Sequence, residues 1–463
     1  MEPGALQSLE LRGTMNLHEV VAKRGVSRMK GLLNPDRGIY LLLALASVLR
    51  IAAVYDVGIT YDGQYIDAVR FMDSARELAA SGRFTFAGAE SSAYQMPGYS
   101  AFLALLLSAA ESPFTEHLLV KATLLLLSLA TIYMVYLLGS RVGGLWVGLV
   151  ASAFLTFSMP NIYTGLLTLS ENPFSLAVTT FALLVIRLGD EPGWKYFSLS
   201  LGVFILAIYL RQAALMMLPP ALIYLLLRRF PRKLLWRQTA AAIMVIVAVL
   251  MPWWIRNYCL FDAFVPFTSF EGAPLLEGTY QRFDPYPEHG GAFVQMDELT
   301  SNFTGNELEK SHLFARAAHQ RLVQRWRTDP LDLVFTYALG KPAAAWLLPH
   351  YWDTVLGASS YWVLRVHAVM SALGLAALLA LSIRSDARYE FVFMGLCVLL
   401  VTVGTSYYLG LHRYVYPFMP FLYVAIACAL NRLTSRCSQR LSSPLSGSAA
   451  ASAPETLDYR GVR

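Results

Sequence analysis

Residues 67–84, DAVRFMDSARELAASGRF, set Asp67 and Arg70 one helical turn apart beside a strongly apolar run. A carboxylate and a guanidinium at that spacing can pair with each other. The same residue types also carry out proton transfer and anion binding. On a helix of about 100° per residue, Ala68, Phe71, Met72, Ala75, Leu78 and Ala79 form one apolar stripe, and Asp73, Arg76 and Glu77 fall away from it. The pattern predicts an amphipathic helix over 67–82 lying on a membrane interface. Asp67 and Arg70 sit on the flank of the stripe, while Asp73 and Glu77 form a solvated face paired with Arg70 and Arg76. Taken alone, Asp67 reads as support for the first turn, where a carboxylate favours the helix dipole, and Asp62 of TYDGQY as an N-cap. Elsewhere Glu171 (TLSENPF), Arg211 (YLRQAAL), Arg256 (WWIRNY) and Arg413 (HRYVYP) stand at the ends of apolar runs. Each arginine there either anchors a helix end by snorkelling or meets a lipid phosphate.

The elements that must position these residues are membrane helices. The chain of 463 residues is 56% hydrophobic and only 15% charged, with a mean hydropathy of +0.47, whereas soluble domains are about a quarter charged. The net charge of +6 comes from short basic clusters between apolar runs, which topology explains, so no nucleic-acid partner is expected. The four cysteines (Cys259, Cys397, Cys428, Cys437) show no CxxC or metal-ligand spacing. Apolar runs at 39–57, 118–139, 144–160, 173–188, 196–210, 212–227, 238–255, 361–383, 389–409 and 414–431 predict an all-α polytopic protein with about ten transmembrane helices.

Lys23, Arg24, Arg28, Lys30 and Arg37 precede the first run, and RRFPRKLLWR (228–237) is the strongest inner-loop signal. Both termini are therefore expected in the cytoplasm, with Arg141, Arg187, Lys195, Arg384, Arg388 and Arg432 on the same side. The run 97–110 is short and opens on Pro-Gly, so it reads as an interfacial or re-entrant helix. Three parts follow: a cytoplasmic segment 1–38, a transmembrane unit 39–431 with large outer loops at 58–117 and 256–360, and a disordered tail 432–463. The span interiors read as nearly free of charge.

Five stretches in order carry a resemblance. Asp67, Arg70, Phe71, Ala75, Leu78 and Gly82 resemble the first-loop pattern of polyprenyl-phosphate-sugar-dependent glycosyltransferases of the GT-C superfamily, the group of the protein O-mannosyltransferases and the aminoarabinose transferases. YQMPGYSAFLAL (94–105), with Tyr94, is similar to the proline segment that follows, and TLSENPF (168–174) to the second acidic loop. MPWWIRNYCLFDAFVP (251–266) and HRYVYPFMP (412–420), with His412, are similar to the Pro-Trp…Arg-Asn and Arg-Tyr…Pro elements.

The resemblance implies transfer of a hexosyl or pentosyl group from a polyprenyl-phosphate donor to a lipid, polysaccharide or protein acceptor, with inversion, at the outer face of a bacterial inner or plasma membrane. Asp67 matches the base. Arg70 matches a phosphate-binding cation, joined in that expectation by Arg211, Arg256 and Arg413, with Glu171, Asp62, Tyr94 and His412 in support. There are departures. Gln95 and Met96 stand where the aminoarabinose transferases carry an acid and a lysine before the proline pair. Ala68 replaces the acid that often follows the base, which weakens the case for a divalent metal.

No cofactor is expected. His289, His312, His319, His350 and His412 lack HExxH or HxH spacing and read as solvated or structural. In the second loop, positions 308, 313, 314, 317 and 318 predict a helix packed on one side, with arginines 316, 321, 325 and 327 solvated or facing headgroups. Two other classes compete with the transferase: a transporter or lipid flippase, and a non-catalytic relative that binds lipid-linked sugar. Charges at the rims rather than inside the spans favour the enzyme.

Overall fold

The computed structural model describes residues 35–62, 65–86, 88, 90–281 and 291–442. The basic residues of 1–34, His289 and the segment 443–463 lie outside them. Among the described residues the chain is helical, with a single isolated β-bridge between Thr85 and Ser91. Seven helices are long and apolar enough to cross a membrane. These are α1 (Pro35–Val57), α4 (Pro113–Gly143), α7 (Glu171–Asp190), α10 (Arg232–Phe261), α16 (Ser360–Arg384), α17 (Arg388–Tyr407) and α19 (Met419–Ser442), the last preceded by the short turn α18 (His412–Val415). An eighth is reached if the pair α5 (Leu145–Phe157) and α6 (Met159–Leu166) counts as one span; the two are bent by 61° just before Pro160, after the extended Ser158. The protein is thus an integral membrane protein, with seven to eight crossings by length and composition against the ten expected. The two remaining runs are shorter: α8 (Trp194–Leu210), and a 3-10 turn (Gln212–Met217) leading into α9 (Leu218–Leu227).

Two ionic clusters mark the ends of the bundle. At one end Asp190 accepts from Arg141 and from Arg228 (2.9 Å), and Tyr224 donates to Glu390 (3.2 Å). The basic loop ends singled out in sequence meet there. At the opposite end lie Asp67, Glu171, Arg211 and Arg413, described below. Helices alternate between these ends because short loops force antiparallel neighbours. Hairpin α4/α5 turns at Gly144, whose φ of +91° suits glycine. It closes so tightly that a Cβ on Gly139 would stand 2.8 Å from Gly148 Cα.

The segment expected to be interfacial is α3 (Gly98–Leu107), a helix of ten residues. Its Pro-Gly start is a packing device, since a Cβ on Gly98 would stand 2.5 Å from the carbonyl oxygen of Tyr209. Helix α2 (Ile66–Ser81) forms as its period predicts and stops at left-handed Gly82 (φ +72°), whose N–H caps Leu78 O. Ala68, Phe71, Met72, Ser74 and Ala75 are its buried residues, whereas Ala79 of the expected stripe is exposed. Arg76 pairs with Asp73 and Glu116, and Glu77 pairs with Arg83 and accepts from Ser81 Oγ rather than pairing with Arg70 or Arg76.

The second loop folds as α11 (Gly272–Tyr280), α12 (Gly291–Thr300), α13 (Glu307–Thr328), α14 (Pro330–Phe335), a π turn (Thr336–Gly340) and α15 (Lys341–Leu347). Asn306 and Glu309 cap α13 reciprocally, and Phe314, Ala317 and Ala318 are buried against Leu275 and Leu276 of α11.

Three expectations are corrected. Arg50 is 2% exposed inside the bundle and Lys121 is 5% exposed, so the interior does hold charge. Asp62 does not cap α2, whose N-cap is Tyr65 without a side-chain cap. Its carboxylate instead takes Lys121 Nζ (2.6 Å) and the N–H of Thr168 (2.8 Å). Arg325 is not solvated, because it donates to Thr279 O (2.8 Å) and to Asp332 (2.6 Å).

Candidate active site

The two most buried spans are α7 and the one beginning at His412. Inside the bundle lie 72% and 78% of their apolar windows, against 11% for α10. Each begins with a charged residue of the sequence motifs, Glu171 and Arg413, so packing these helices side by side carries both charges to one rim. Arg413 Nη1 lies 2.7 Å from Asp67 Oδ2, and its Nε donates to Glu171 Oε1. Arg211, in the break between α8 and the 3-10 turn, reaches the same Glu171 oxygen at 2.8 Å and Ser170 Oγ at 3.1 Å. Arg70 Nη1 stands 3.7 Å from Asp67 Oδ1.

The result is a chain of alternating charge: Arg70, Asp67, Arg413, Glu171, Arg211. Three guanidinium groups against two carboxylates leave one positive charge in excess, which suits an anionic ligand. Glu171 is fully buried, and its Oε2 has no hydrogen-bond partner. Asp67 and Arg70 keep about a quarter of their side-chain surface open, at 24% and 29%, so the cluster is reachable from the Asp67 side.

Aromatic rings wall this cluster. Arg70 lies over Tyr94 (5.8 Å), Arg211 over Tyr414 (5.6 Å) and Arg413 over Tyr65 (5.9 Å). Tyr94 is held in turn by Phe270 (3.9 Å between centroids) and by stacking on Phe86. His350, which is 2% exposed, packs 5.1 Å from the Tyr65 ring. Burial drives its imidazole down to about 3, against the pull of Glu171 and with the push of Arg413 and Arg211. Its Nε2 is unpartnered.

The remaining candidates lie apart from the cluster. Arg256 donates to Asn257 Oδ1 (2.9 Å) and Phe84 O (3.1 Å) and lies over Trp253, bracing the first loop. His412 neighbours Arg413 in sequence but turns inward, with Nδ1 2.9 Å from Ala345 O and its ring 4.4 Å from that of His367. Asp62 fixes the strap before Glu171 through Thr168. His312 and His319 are exposed, whereas His350 and His412 are buried. Among the described residues no three His, Cys, Asp or Glu side chains are grouped as metal ligands.

Sequence reasoning missed the second loop's share. Glu307 takes Ser92 Oγ (2.8 Å), the N–H of Ala93 (2.6 Å) and Ser269 Oγ (2.7 Å), which ties the two loops together. Gln281 makes paired bonds with Gly410, accepting from its N–H at 2.8 Å and donating to its O at 3.1 Å. Lys341 Nζ donates to Tyr408 O (2.9 Å). Both pin the turn that leads into Arg413. Burial first, and the charge of Asp67 second, push the Glu277 carboxyl of α11 up to about 7. Its one signal in sequence was a lone acid in an apolar helix, APLLEGTY.

The stretch 96–255 matches the family model described as dolichyl-phosphate-mannose-protein mannosyltransferase. It includes Glu171 and Arg211 but not Asp67, Arg70 or Arg413. No curated protein matches the sequence. Among solved structures the chain is similar to the archaeal oligosaccharyltransferase AglB from Archaeoglobus fulgidus, in complex with an inhibitory peptide and a dolichol-phosphate, with 14% identity and a TM-score of 0.53. That match covers 91% of this chain and 53% of the other, so the chain spans about half of AglB's length. The apo form of the A. fulgidus oligosaccharyltransferase gives 12% identity and a TM-score of 0.53, over 88% of this chain and 52% of that one. ArnT from Cupriavidus metallidurans bound to undecaprenyl phosphate is 15% identical, with a TM-score of 0.39 over 86% of this chain and 79% of that one. The matched family model and the shared helical fold bear out the resemblance of this chain to the GT-C superfamily of membrane glycosyltransferases.

Proposed function

We propose that the protein transfers a sugar from a polyprenyl-phosphate donor to an acceptor hydroxyl or amine, with inversion, at the extracytoplasmic face of a bacterial membrane. Both termini are then cytoplasmic, and the chain crosses ten times once α8 and the 212–227 stretch are counted. One observation supports the reading above others: Arg413 links Asp67 to Glu171, bringing three sequence motifs far apart in the chain to one rim.

In this reading the excess positive charge of the rim receives the lipid phosphate. Arg70, Arg211 and Arg413 hold it and stabilise the charge that grows on it as the sugar departs. Asp67, the more open carboxylate, lies beside the incoming nucleophile as base, and Tyr94 and Tyr65 hold the arginines in place. Arg256 sits farther off and would meet the donor only at its edge. Glu171 holds Arg211 and Arg413 through one shared oxygen. The acceptor and the identity of the sugar depend on the loop surface over α11 and α13.

The test is a transfer assay. Purified protein in lipid is given radiolabelled polyprenyl-phosphate sugars and a membrane extract as acceptor, wild type against Asp67→Asn. Asp67→Asn preserves shape and removes the base, so transfer should fall about 10²–10⁴-fold while the folded yield is kept. Near-normal turnover in the variant would reduce Asp67 to a helix-start residue.

A further inference from the structure

The second loop, 256–360, turns back into the bundle before α16 begins. Helix α15 is fastened there at several levels. Lys341 Nζ donates to Tyr408 O (2.9 Å), just past the end of α17, and Ala345 O lies 2.9 Å from His412 Nδ1. Deeper down, Trp346 Nε1 donates to Thr402 Oγ1 (2.8 Å), and Trp346 O stands 3.1 Å from His367 Nε2. Thr402 precedes the rim end of α17, at Tyr407, and His367 follows the rim end of α16, at Ser360. At 1.5 Å per residue, Trp346 lies about 7–10 Å below the ends of two membrane-crossing helices.

The chain that leads down to α15 carries an apolar flank. Val323 and Trp326 of α13, Leu331, Val334 and Phe335 of α14, and Leu339 of the π turn are all exposed. That flank continues the outward face of a span. Leu399, Val403 and Tyr407 follow one another at single turns along α17 and are exposed, as a lipid-facing stripe must be. Tyr407 OH and His319 Nε2 of α13 are 3.3 Å apart, so the stripe of α17 meets α13 at His319. At 100° per residue His319, Val323 and Trp326 share one side of α13. Arg316 and Arg327 stand on the next side, and Phe314, Ala317 and Ala318 are the side packed on α11. The two charges closest to α15, Arg325 and Asp332, are paired with each other (2.6 Å), as charges near hydrocarbon must be.

We infer that residues 319–347 are embedded in the membrane leaflet on the rim side. The end of α13 and α14 lie along the headgroup boundary, the π turn and α15 re-enter the leaflet beside α16 and α17, and phospholipid acyl chains cover the flank from Val323 to Leu339. The irregular backbone at that depth is tolerated because Thr336 and Gly340 of the π turn are buried in protein. Trp326 and Tyr407 stand where amphipathic rings settle between hydrocarbon and headgroups, and Arg316 and Arg327 reach toward the phosphates. The inference concerns the bilayer as partner and holds whatever reaction the rim performs.

The experiment uses the wild-type protein in nanodiscs of phosphatidylethanolamine and phosphatidylglycerol, doped with a phospholipid that carries a diazirine on its acyl chain. After illumination and digestion, mass spectrometry locates the adducts. Leu399 and Val403 of α17 serve as the lipid-facing standard, and the exposed Asp297 and Glu298 of α12 as the aqueous one. Adducts are expected between Val323 and Leu339 at a yield like that of the α17 stripe. In a second arm Leu331→Cys, Leu339→Cys and Gln324→Cys are treated with a membrane-impermeant maleimide and the labelled site is read by mass spectrometry. Positions 331 and 339 should react about tenfold or more slowly than 324, the factor that keeping one leucine-sized side chain out of water is worth. Adducts on the spans but none over 323–339, or equal labelling at all three cysteines, would place the flank in water, as a face kept for a protein partner would be, and would overturn the inference.

Discussion

Arg50 and the three arginines of the rim differ in how they are satisfied. Arg50, inside the bundle, donates to Ser128 Oγ (2.7 Å), Ala46 O (3.3 Å) and Asn161 Oδ1 (2.5 Å), and Asn161 passes on to Tyr416 OH. Every partner is a neutral oxygen from the protein itself, and the side chain is 2% exposed. At the rim Arg70, Arg211 and Arg413 share the carboxylates of Asp67 and Glu171, and their side chains stay 29%, 18% and 14% exposed. A cation whose donors are used up inside the fold fastens helices, whereas cations in excess at an open rim keep donors for a ligand. On the proposed reading, the contrast sets a fastening arginine apart from those that would meet the donor phosphate.

Substitutions can break or sharpen that contrast. The largest effect on chemistry is expected from Arg413→Gln, which cuts the link between Asp67 and Glu171. Transfer should fall about 10²–10³-fold, the size of losing one donor to a developing anion, and undecaprenyl-phosphate binding should weaken with it. Arg50→Leu should do the reverse. Orphaning Ser128 and Asn161 costs about 1–3 kcal/mol for each buried group left unpaired, read as a drop in unfolding temperature in detergent, while the protein that remains folded transfers normally. If Arg50→Leu instead removed transfer with no loss of stability, the division between the two clusters would collapse. Arg256→Gln should cost about 1 kcal/mol, as one lost hydrogen bond to Phe84 O, and change transfer less than tenfold. A loss as large as that of Arg413→Gln would extend the phosphate site to Arg256. Smallest is Arg76→Ala, which removes exposed pairs with Asp73 and Glu116 at about 0–1 kcal/mol, with transfer unchanged.

Much of this was legible beforehand where the signal is local. Helix α2 follows from an apolar stripe at helical period, and α13 from the one-sided run of apolar positions that includes 314, 317 and 318. Asp62 was misassigned because an N-cap is a local rule, while its real partner, Lys121, sits 59 residues away and was hidden in an apolar run. In sequence Arg325 reads as solvated or facing headgroups because the backbone carbonyl it binds, at Thr279, belongs to another helix. Glu307 and Gln281 carry no spacing signal at all, since their partners, two serine hydroxyls and backbone groups, belong to distant turns.

The sequence alone determined the class of the molecule. Runs of apolar residues long enough for a bilayer are a property of composition, basic clusters sort the loops, and a period near 3.6 draws amphipathic helices without help from the rest of the chain. Only the tertiary structure decided which rim charges meet. Asp67 and Arg413 are 346 residues apart, and Glu171 joins them because α7 and the span from His412 are the two most buried helices of the bundle. Helical periodicity fixes the face on which a side chain stands, but the neighbour it finds depends on how whole helices pack, and packing is set by contacts that no short stretch of sequence contains.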